Sequence, residues 1–105
     1  MSQFDVYNNP SKATRSTYPY IIDVQSHLIS GIATRIVIPL VRLRYFENEK
    51  MQGLTPEIEY KGESLLLLTP QISSIPTTAL KTPIGSLEHY RREIISALDF
   101  AITGI

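Results

Sequence analysis

The strongest strand signal in the sequence is the stretch Thr34-Arg35-Ile36-Val37-Ile38-Pro39-Leu40-Val41-Arg42-Leu43-Arg44. In its middle, apolar side chains occupy both even and odd positions, and Arg42 and Arg44 then take over the even face. A strand that is buried on two sides and then exposes one side indicates a curved or barrel-forming sheet. Pro39 has no N–H to donate, so we expect it at a bend or an unpaired position.

Shorter strand patterns lie on both sides of this stretch. The dipeptide Lys61-Gly62 separates two of them and predicts a hairpin with a two-residue turn. The run Leu65 to Leu68 predicts a strand buried on two sides, one of which a second copy of the chain would complete. The polar segments 8–17 and 46–56 predict loops, the first of them mobile. The predicted strands are 4–7, 18–24, 34–44, 57–60, 63–68 and 72–80, the last interrupted by Pro76.

One clear helical pattern follows the strands. Ser86 is a good N-cap, Glu88 suits the positive end of the helix dipole, and Gly104 lies where a C-terminal cap is expected. The apolar face of this predicted helix consists of Leu87, Tyr90, Ile94, Leu98, Ala101 and Ile102, with Ile95 beside it. Several antiparallel strands and then one helix predict an α+β or small β-barrel fold, in a single domain over 1–105.

Composition narrows the classes of function. Ten Lys and Arg balance ten Asp and Glu, which argues against a protein whose main task is to neutralise nucleic-acid phosphates. The absence of cysteine excludes disulfides and thiolate metal sites. Apolar runs such as 65–68 are far too short to span a membrane, and the first residues show no signal-peptide pattern. We therefore expect a soluble cytoplasmic protein.

The sequence offers little catalytic chemistry. His27 follows Ser26 and lies near Asp23, but neighbours on an extended chain point to opposite sides, so a Ser-His-Asp triad is disfavoured. His89 is expected on a solvated helix face. Two histidines without cysteine disfavour zinc, and the scattered glycines form no phosphate-binding loop. We predict no catalytic residue, metal or cofactor.

Four stretches, in order along the chain, resemble the CcdB toxins of plasmid and chromosomal toxin–antitoxin systems. The similarity extends from Phe4 to Ile105. The stretches are Asp23-Val24-Gln25-Ser26, Arg35-Ile36-Val37-Ile38-Pro39-Leu40, Ser74-Ile75-Pro76, and the final helix with Gly104-Ile105.

This resemblance implies an SH3-like antiparallel barrel of the CcdB/Kid type, with a small accessory sheet and one C-terminal helix, assembled as a homodimer. It implies a toxin of a type II module that binds the A subunit of DNA gyrase and traps the gyrase–cleaved DNA complex without catalysis. A cognate CcdA-like antitoxin with a disordered segment would neutralise it. Contact with DNA would be indirect, through gyrase or the antitoxin complex.

The resemblance also implies roles for particular residues. The gyrase-binding set is Thr103, Gly104, Ile105, Ser26, Leu28, Ser96 and Asp99. The antitoxin-binding set lies in the loop 8–17 and comprises Asn8, Asn9, Lys12 and Arg15. The dimer interface includes Leu68 and Ile105.

One position departs from the best-known plasmid toxins, which carry tryptophan before the final Gly-Ile. Thr103 stands there, which indicates a chromosomal-type member and removes a cation–π contact worth about 0.5–2 kcal/mol. Burial of Ile105 would supply roughly 1.5–3 kcal/mol instead.

Two alternative functions stay open at this point. One is a divergent member that binds an antitoxin and no longer poisons gyrase. The other is an endoribonuclease toxin of the same fold, with Arg35, Arg42, Arg44 and Asp23 as its candidate residues.

Overall fold

A computed structural model describes residues 2–29 and 31–104, and in this part of the chain seven strands join into one antiparallel sheet. The strands are β1 (Asp5–Asn8), β2 (Tyr20–Asp23), β3 (Thr34–Arg42), β4 (Glu57–Tyr60), β5 (Glu63–Leu67), β6 (Ser73–Pro76) and β7 (Gly85–Ser86). The helices are α1 (Leu43–Phe46) and α2 (Arg91–Thr103), and single 3₁₀ turns cover 47–49, 69–71, 77–79 and 88–90.

The central strand β3 has different partners along its two halves. One edge pairs with β2, from Tyr20 opposite Leu40 to Asp23 opposite Val37. The other edge pairs with β6 over 34–37 and with β5 over 40–42. Pro39 lies between these two partners, and its carbonyl accepts a hydrogen bond from Leu68 N at 3.0 Å. Because two strands diverge from one edge, the sheet curls into a half-barrel, which confirms the predicted curved antiparallel sheet with a C-terminal helix.

The hairpin between β4 and β5 is the predicted one. Lys61 and Gly62 both have positive φ angles, 52° and 74°. Two consecutive residues in this region form the type I′ turn, whose twist matches that of the paired strands.

The central strand is shorter than predicted, because residues 43–46 form the helical turn α1. Leu43 and Phe46 are three positions apart, so one helical turn presents both on one side. There they pack on the buried cluster of Val41, Leu66 and Leu68. If residues 43–46 continued the strand, Leu43 and Phe46 would lie on opposite faces, and only one of them could reach that cluster.

The main core lies between α2 and one face of the curled sheet. Its buried members are Phe4, Val6, Ile22, Val24, Ile38, Leu40, Ile58, Leu65, Leu67, Leu87 and Ile94. The opposite face carries a smaller cluster of Tyr7, Ile21, Val37 and Leu80. Leu65 to Leu68 is buried as predicted.

The helix α2 begins later than its apolar pattern predicts. Residues 88–90 form a 3₁₀ turn, and Ser86 lies in β7, where its Oγ accepts a hydrogen bond from Glu88 N at 3.2 Å. The α-helix proper starts at Arg91. Gly104 is the predicted C-terminal cap: its φ is 76°, and its N–H donates to the carbonyl of Phe100 at 2.9 Å.

Gly85 in β7 has no room for a side chain, because the ring of Tyr60 occupies the adjacent space. A Cβ at this position would overlap the hydroxyl of Tyr60 and lie 3.1 Å from its Cζ. We expect Gly85→Ala to lower the free energy of unfolding by about 1–3 kcal/mol, because Tyr60 must move away from its edge-on contact with Tyr20. Urea unfolding measures this loss.

Removing the Tyr60 hydroxyl tests the cause of that loss. Tyr60→Phe alone gives up only a long hydrogen bond to the carbonyl of Ile84, 3.4 Å. In the Gly85→Ala background it should restore part of the lost stability. A Gly85→Ala protein as stable as the wild type would contradict the overlap.

Candidate protein-binding site at the end of the C-terminal helix

The last turns of α2 are largely exposed, with one side partly covered where the Phe100 ring, 40% exposed, lies near Gly53. Residues 99–104 are all exposed, including Ala101, which lies seven positions after the buried Ile94 and so on the same helix face. The prediction that Ala101 and Ile102 face the core is wrong, and Ile102 is 75% exposed. Ala97, which the predicted stripe omits, is buried instead. The helix therefore extends past the core that holds its first turns.

Three of the predicted gyrase-binding residues lie along one side of this helix. Ser96, Asp99 and Thr103 are spaced by three and four positions, which places them on a common face. Ser96 and Asp99 line a shallow groove together with Arg92 and Ile95. The hydroxyl of Thr103 donates to the carbonyl of Asp99 at 2.6 Å, so it is used within the helix.

A second exposed element is the turn formed by residues 26–29. Ser26 Oγ accepts a hydrogen bond from Leu28 N at 3.1 Å, and the Ser26 carbonyl accepts one from Ile29 N at 3.0 Å. This turn leaves Leu28 83% exposed and Ile29 half exposed. Single exposed apolar side chains are common on protein surfaces; Leu28 and Ile29 differ in being neighbours on a turn whose backbone is held by hydrogen bonds.

Buried polar groups hold this turn in place. The Gln25 side chain, 1% exposed, donates to the Ile29 carbonyl at 2.6 Å and accepts from Ile36 N at 3.1 Å. Gln25 N in turn donates to Asp23 Oδ1 at 2.9 Å. The backbone that presents Leu28 is therefore fixed to strands β2 and β3.

The carboxylate of Asp23 forms a buried ion pair with Arg35. Arg35 Nε donates to Asp23 Oδ2 at 2.7 Å, and Arg35 Nη2 lies 2.7 Å from the same oxygen without hydrogen-bond geometry. Burial raises the pKa of the Asp23 carboxyl above its ordinary value, while the hydrogen bond from Gln25 N and the pair with Arg35 oppose that rise. Sequence reasoning missed Gln25 and the structural role of this pair.

The four candidate residues of the ribonuclease alternative do not lie together. Arg35 is 6% exposed and paired with Asp23. Arg42 pairs with Glu63, and Arg44 lies over the ring of Tyr45. Arg35 and Arg42 are seven positions apart in β3, so they point to opposite faces and lie about 23 Å apart. The structure brings Arg42 and Arg44 to one pocket and leaves Arg35 and Asp23 elsewhere, so the four candidate residues do not form one site.

Ser26 and Asp23, which lie near His27 in the sequence, form their hydrogen bonds with other residues. His27 is exposed, Ser26 Oγ accepts from Leu28 N, and both Asp23 oxygens have partners. No triad forms among them. Within residues 2–29 and 31–104, no group of three His, Asp or Glu side chains is arranged to hold a metal ion. In the same ranges no helix has the length and apolar character to cross a membrane.

The loop 8–17, predicted to bind the antitoxin, is organised around Asn9. Asn9 is 8% exposed, and its amide nitrogen donates to Thr14 Oγ1 at 3.0 Å and to the Tyr18 carbonyl at 2.9 Å. Its Oδ1 accepts from Ser11 N, and its carbonyl accepts from Arg15 Nε. The side chain of Asn9 therefore serves the loop itself and offers little surface to a partner.

Other predicted contacts differ in their exposure. Asn8, Lys12 and Arg15 are exposed. Leu68 is 6% exposed and buried within its own chain, so it leaves little surface for a dimer contact. Ile105 lies outside the described residues.

The chain is a small curled-sheet protein that presents two exposed apolar elements, the end of α2 and the turn 26–29. This arrangement is suited to binding another protein. A family model described as CcdB protein matches residues 3–104. The chain belongs to the CcdB family. Membership implies a toxin of a toxin–antitoxin system that acts on gyrase, and members of the family act without catalysis.

Proposed function

We propose that this chain binds the A subunit of DNA gyrase through the end of α2 and the turn 26–29, and traps the complex of gyrase with cleaved DNA. The observation that carries the proposal is that each of residues 99–104 is exposed, with only the Phe100 side partly covered by the chain near Gly53. A helix end that its own chain leaves largely uncovered is available to enter a cleft in a partner.

Apolar contacts replace the missing aromatic ring in this proposal. Because the Thr103 hydroxyl is bonded to the Asp99 carbonyl, Thr103 offers mainly its methyl group. Leu28 and Ile102 are the most exposed of the large apolar side chains in the described chain, at 83% and 75%. Burying each would supply roughly 1.5–3 kcal/mol. We assign the main apolar contacts to these two residues, and Ser26, Ser96, Asp99, Gly104 and Ile105 to their surroundings.

A homodimer is part of the proposal, and exposed isoleucines on β3 and β6 support it. Ile36 lies opposite Ser74, and Ile72 precedes Ser74 by two positions, so both isoleucines share the sheet face that α2 covers. Each is 37% exposed. A second copy seated on the part of this face that α2 leaves uncovered would bury them and place the two helix ends near a two-fold axis. Leu68 would contribute only at the edge of such a contact.

The antitoxin is proposed to contact Asn8, Lys12 and Arg15, which Asn9 holds in position from within the loop. We also propose that the protein acts in the cytoplasm, because that is where gyrase works. We further propose that the half-barrel is a variant of the SH3-like barrel, in which the hairpin of β4 and β5, joined to the single sheet through β3, takes the place of an accessory sheet. A disordered, CcdA-like antitoxin would fold onto the surface formed by Asn8, Lys12 and Arg15.

Purified protein, gyrase and supercoiled plasmid test the proposed function. The wild type should bind the gyrase A subunit and cause cleaved plasmid to accumulate. Gly104→Arg should abolish both effects, because its long charged side chain stands at the helix end, where a Cβ at position 104 has no neighbour within 4 Å. Arginine is strained at this φ of 76°, but the strain falls on the exposed last turn, so circular dichroism should show the same overall fold and antitoxin binding should be kept.

Two outcomes would contradict this proposal. Binding of the antitoxin without any binding of gyrase would support a member that no longer poisons gyrase. Equal gyrase binding by Gly104→Arg and wild type would show that the helix end is not the contact.

A further inference from the structure

A basic pocket lies on the side of the molecule where β1 ends, between the loop 8–17 and the segment 79–82. The two segments meet because the chain entering β7 runs antiparallel to β1: Ile84 N donates to the Val6 carbonyl at 2.8 Å, and Val6 lies opposite Gly85. The pocket has a volume of about 230 Å³. Its lining consists of Tyr7, Asn8, Pro10, Lys12, Arg15, Ala79, Lys81 and Thr82.

The charge of this pocket is one-sided. Lys12, Arg15 and Lys81 contribute three positive charges, and the lining residues in the described chain include no carboxylate. None of the three forms an ion pair with another described residue. The chain as a whole has a formal net charge of zero, so this is a local concentration of charge. Several cations around one concavity raise the local concentration of anions.

The donors in the pocket suit an oxyanion. Arg15 uses its Nε to hold the Asn9 carbonyl, at 2.8 Å, which fixes the base of its guanidinium and leaves the two terminal nitrogens without a described hydrogen bond. Charge-assisted hydrogen bonds from arginine and lysine to carboxylate or phosphate are the strong ones in proteins. The hydroxyl of Thr82 adds a neutral donor at the rim.

Size limits the ligand to a compact group. Pockets for drug-sized molecules have volumes of about 300–1,000 Å³, and this one is smaller. We propose that the pocket binds a single compact oxyanion, either free phosphate or one side-chain carboxylate of a peptide, between Lys12, Arg15 and Lys81. This proposal rests in part on the proposed function, because Lys12 and Arg15 are also proposed antitoxin contacts; binding of small anions with neither gyrase nor antitoxin present tests the site separately.

An NMR titration of the ¹⁵N-labelled full chain tests the site. The probes are sodium phosphate and N-acetyl-aspartate methylamide, each compared with sodium chloride at matched ionic strength. We expect saturable shifts of the backbone amides of 8–15 and 79–82. The double variant Lys12→Gln/Lys81→Gln should bind roughly tenfold more weakly, since an exposed ion pair is worth about two- to fivefold in affinity.

The control variant is Lys50→Gln, which removes one positive charge, half of what the double variant removes, from an exposed residue that pairs with Glu57 outside the pocket. It should bind like the wild type. Tighter binding of phosphate would identify a free anion as the ligand, and tighter binding of the aspartate derivative would identify a peptide side chain; both support the site. Shifts that do not saturate, or that are equal in the double variant and the wild type, would overturn it.

Discussion

Asp23→Ala is expected to lower the free energy of unfolding by about 3–5 kcal/mol, the largest effect of any single substitution considered. The side chains of Asp23 and Arg35 are 0% and 7% exposed, so the variant leaves a buried guanidinium without its counter-charge. Gln25 N loses its acceptor as well. Urea unfolding followed by circular dichroism measures the loss.

An exposed pair provides the matched control. Glu57→Ala removes the partner of Lys50, where both side chains are more than 40% exposed, and should cost less than about 1 kcal/mol. The double variant Asp23→Leu/Arg35→Met should recover much of the stability, because it replaces both charges by apolar groups. A loss in Asp23→Ala no larger than in Glu57→Ala would show that the buried pair does not stabilise the fold.

The double variant Leu28→Ala/Ile102→Ala should weaken binding of the gyrase A subunit by a hundredfold or more. Each truncation forfeits roughly 1.5–3 kcal/mol of apolar burial, and about 1.4 kcal/mol corresponds to a factor of ten. Both side chains are more than 70% exposed in the free protein, so the melting temperature should not change. Isothermal titration or surface plasmon resonance measures the affinity.

Tyr45→Ala is the control for this experiment. Tyr45 is 50% exposed on α1 and belongs to neither binding element. It should bind gyrase as the wild type does. Equal weakening by Tyr45→Ala and by the double variant would indicate a general loss of apolar surface, and unchanged binding by the double variant would remove both residues from the interface.

The sequence predicts the sheet better than the site because strands and turns leave local signals. The alternation in 57–60 and the Lys61-Gly62 turn follow directly from side-chain periodicity. The burial of Arg35 does not, because it depends on Asp23 standing across the β2–β3 pair, which no local pattern records. Asn9 is a similar case: its polar side chain reads as solvated until its partners Thr14 and Tyr18 are known.

The end of α2 shows a different limit of sequence reasoning. Ala101 and Ile102 continue the helical repeat of Ile94 and Leu98, so periodicity alone assigns all four to the core. Exposure depends on how far the sheet extends beneath the helix, which is a property of the tertiary structure. The sequence shows that Thr103 stands where the best-known plasmid toxins have tryptophan. The exposure of Ile102, which we propose as the replacing apolar contact, is visible only in the structure.

The pairing of β1 with β7 has a consequence for the timing of biosynthesis. Asp5 lies opposite Ser86, so the edge of the sheet that precedes α2 is completed by two segments about 80 positions apart in sequence. A nascent chain on the ribosome cannot close this edge until residue 86 has left the exit tunnel, and α2, which follows residue 86, emerges later still. The growing polypeptide should therefore lack the exposed helix end for as long as residues 91–103 remain in the tunnel, whatever the state of the strands before them.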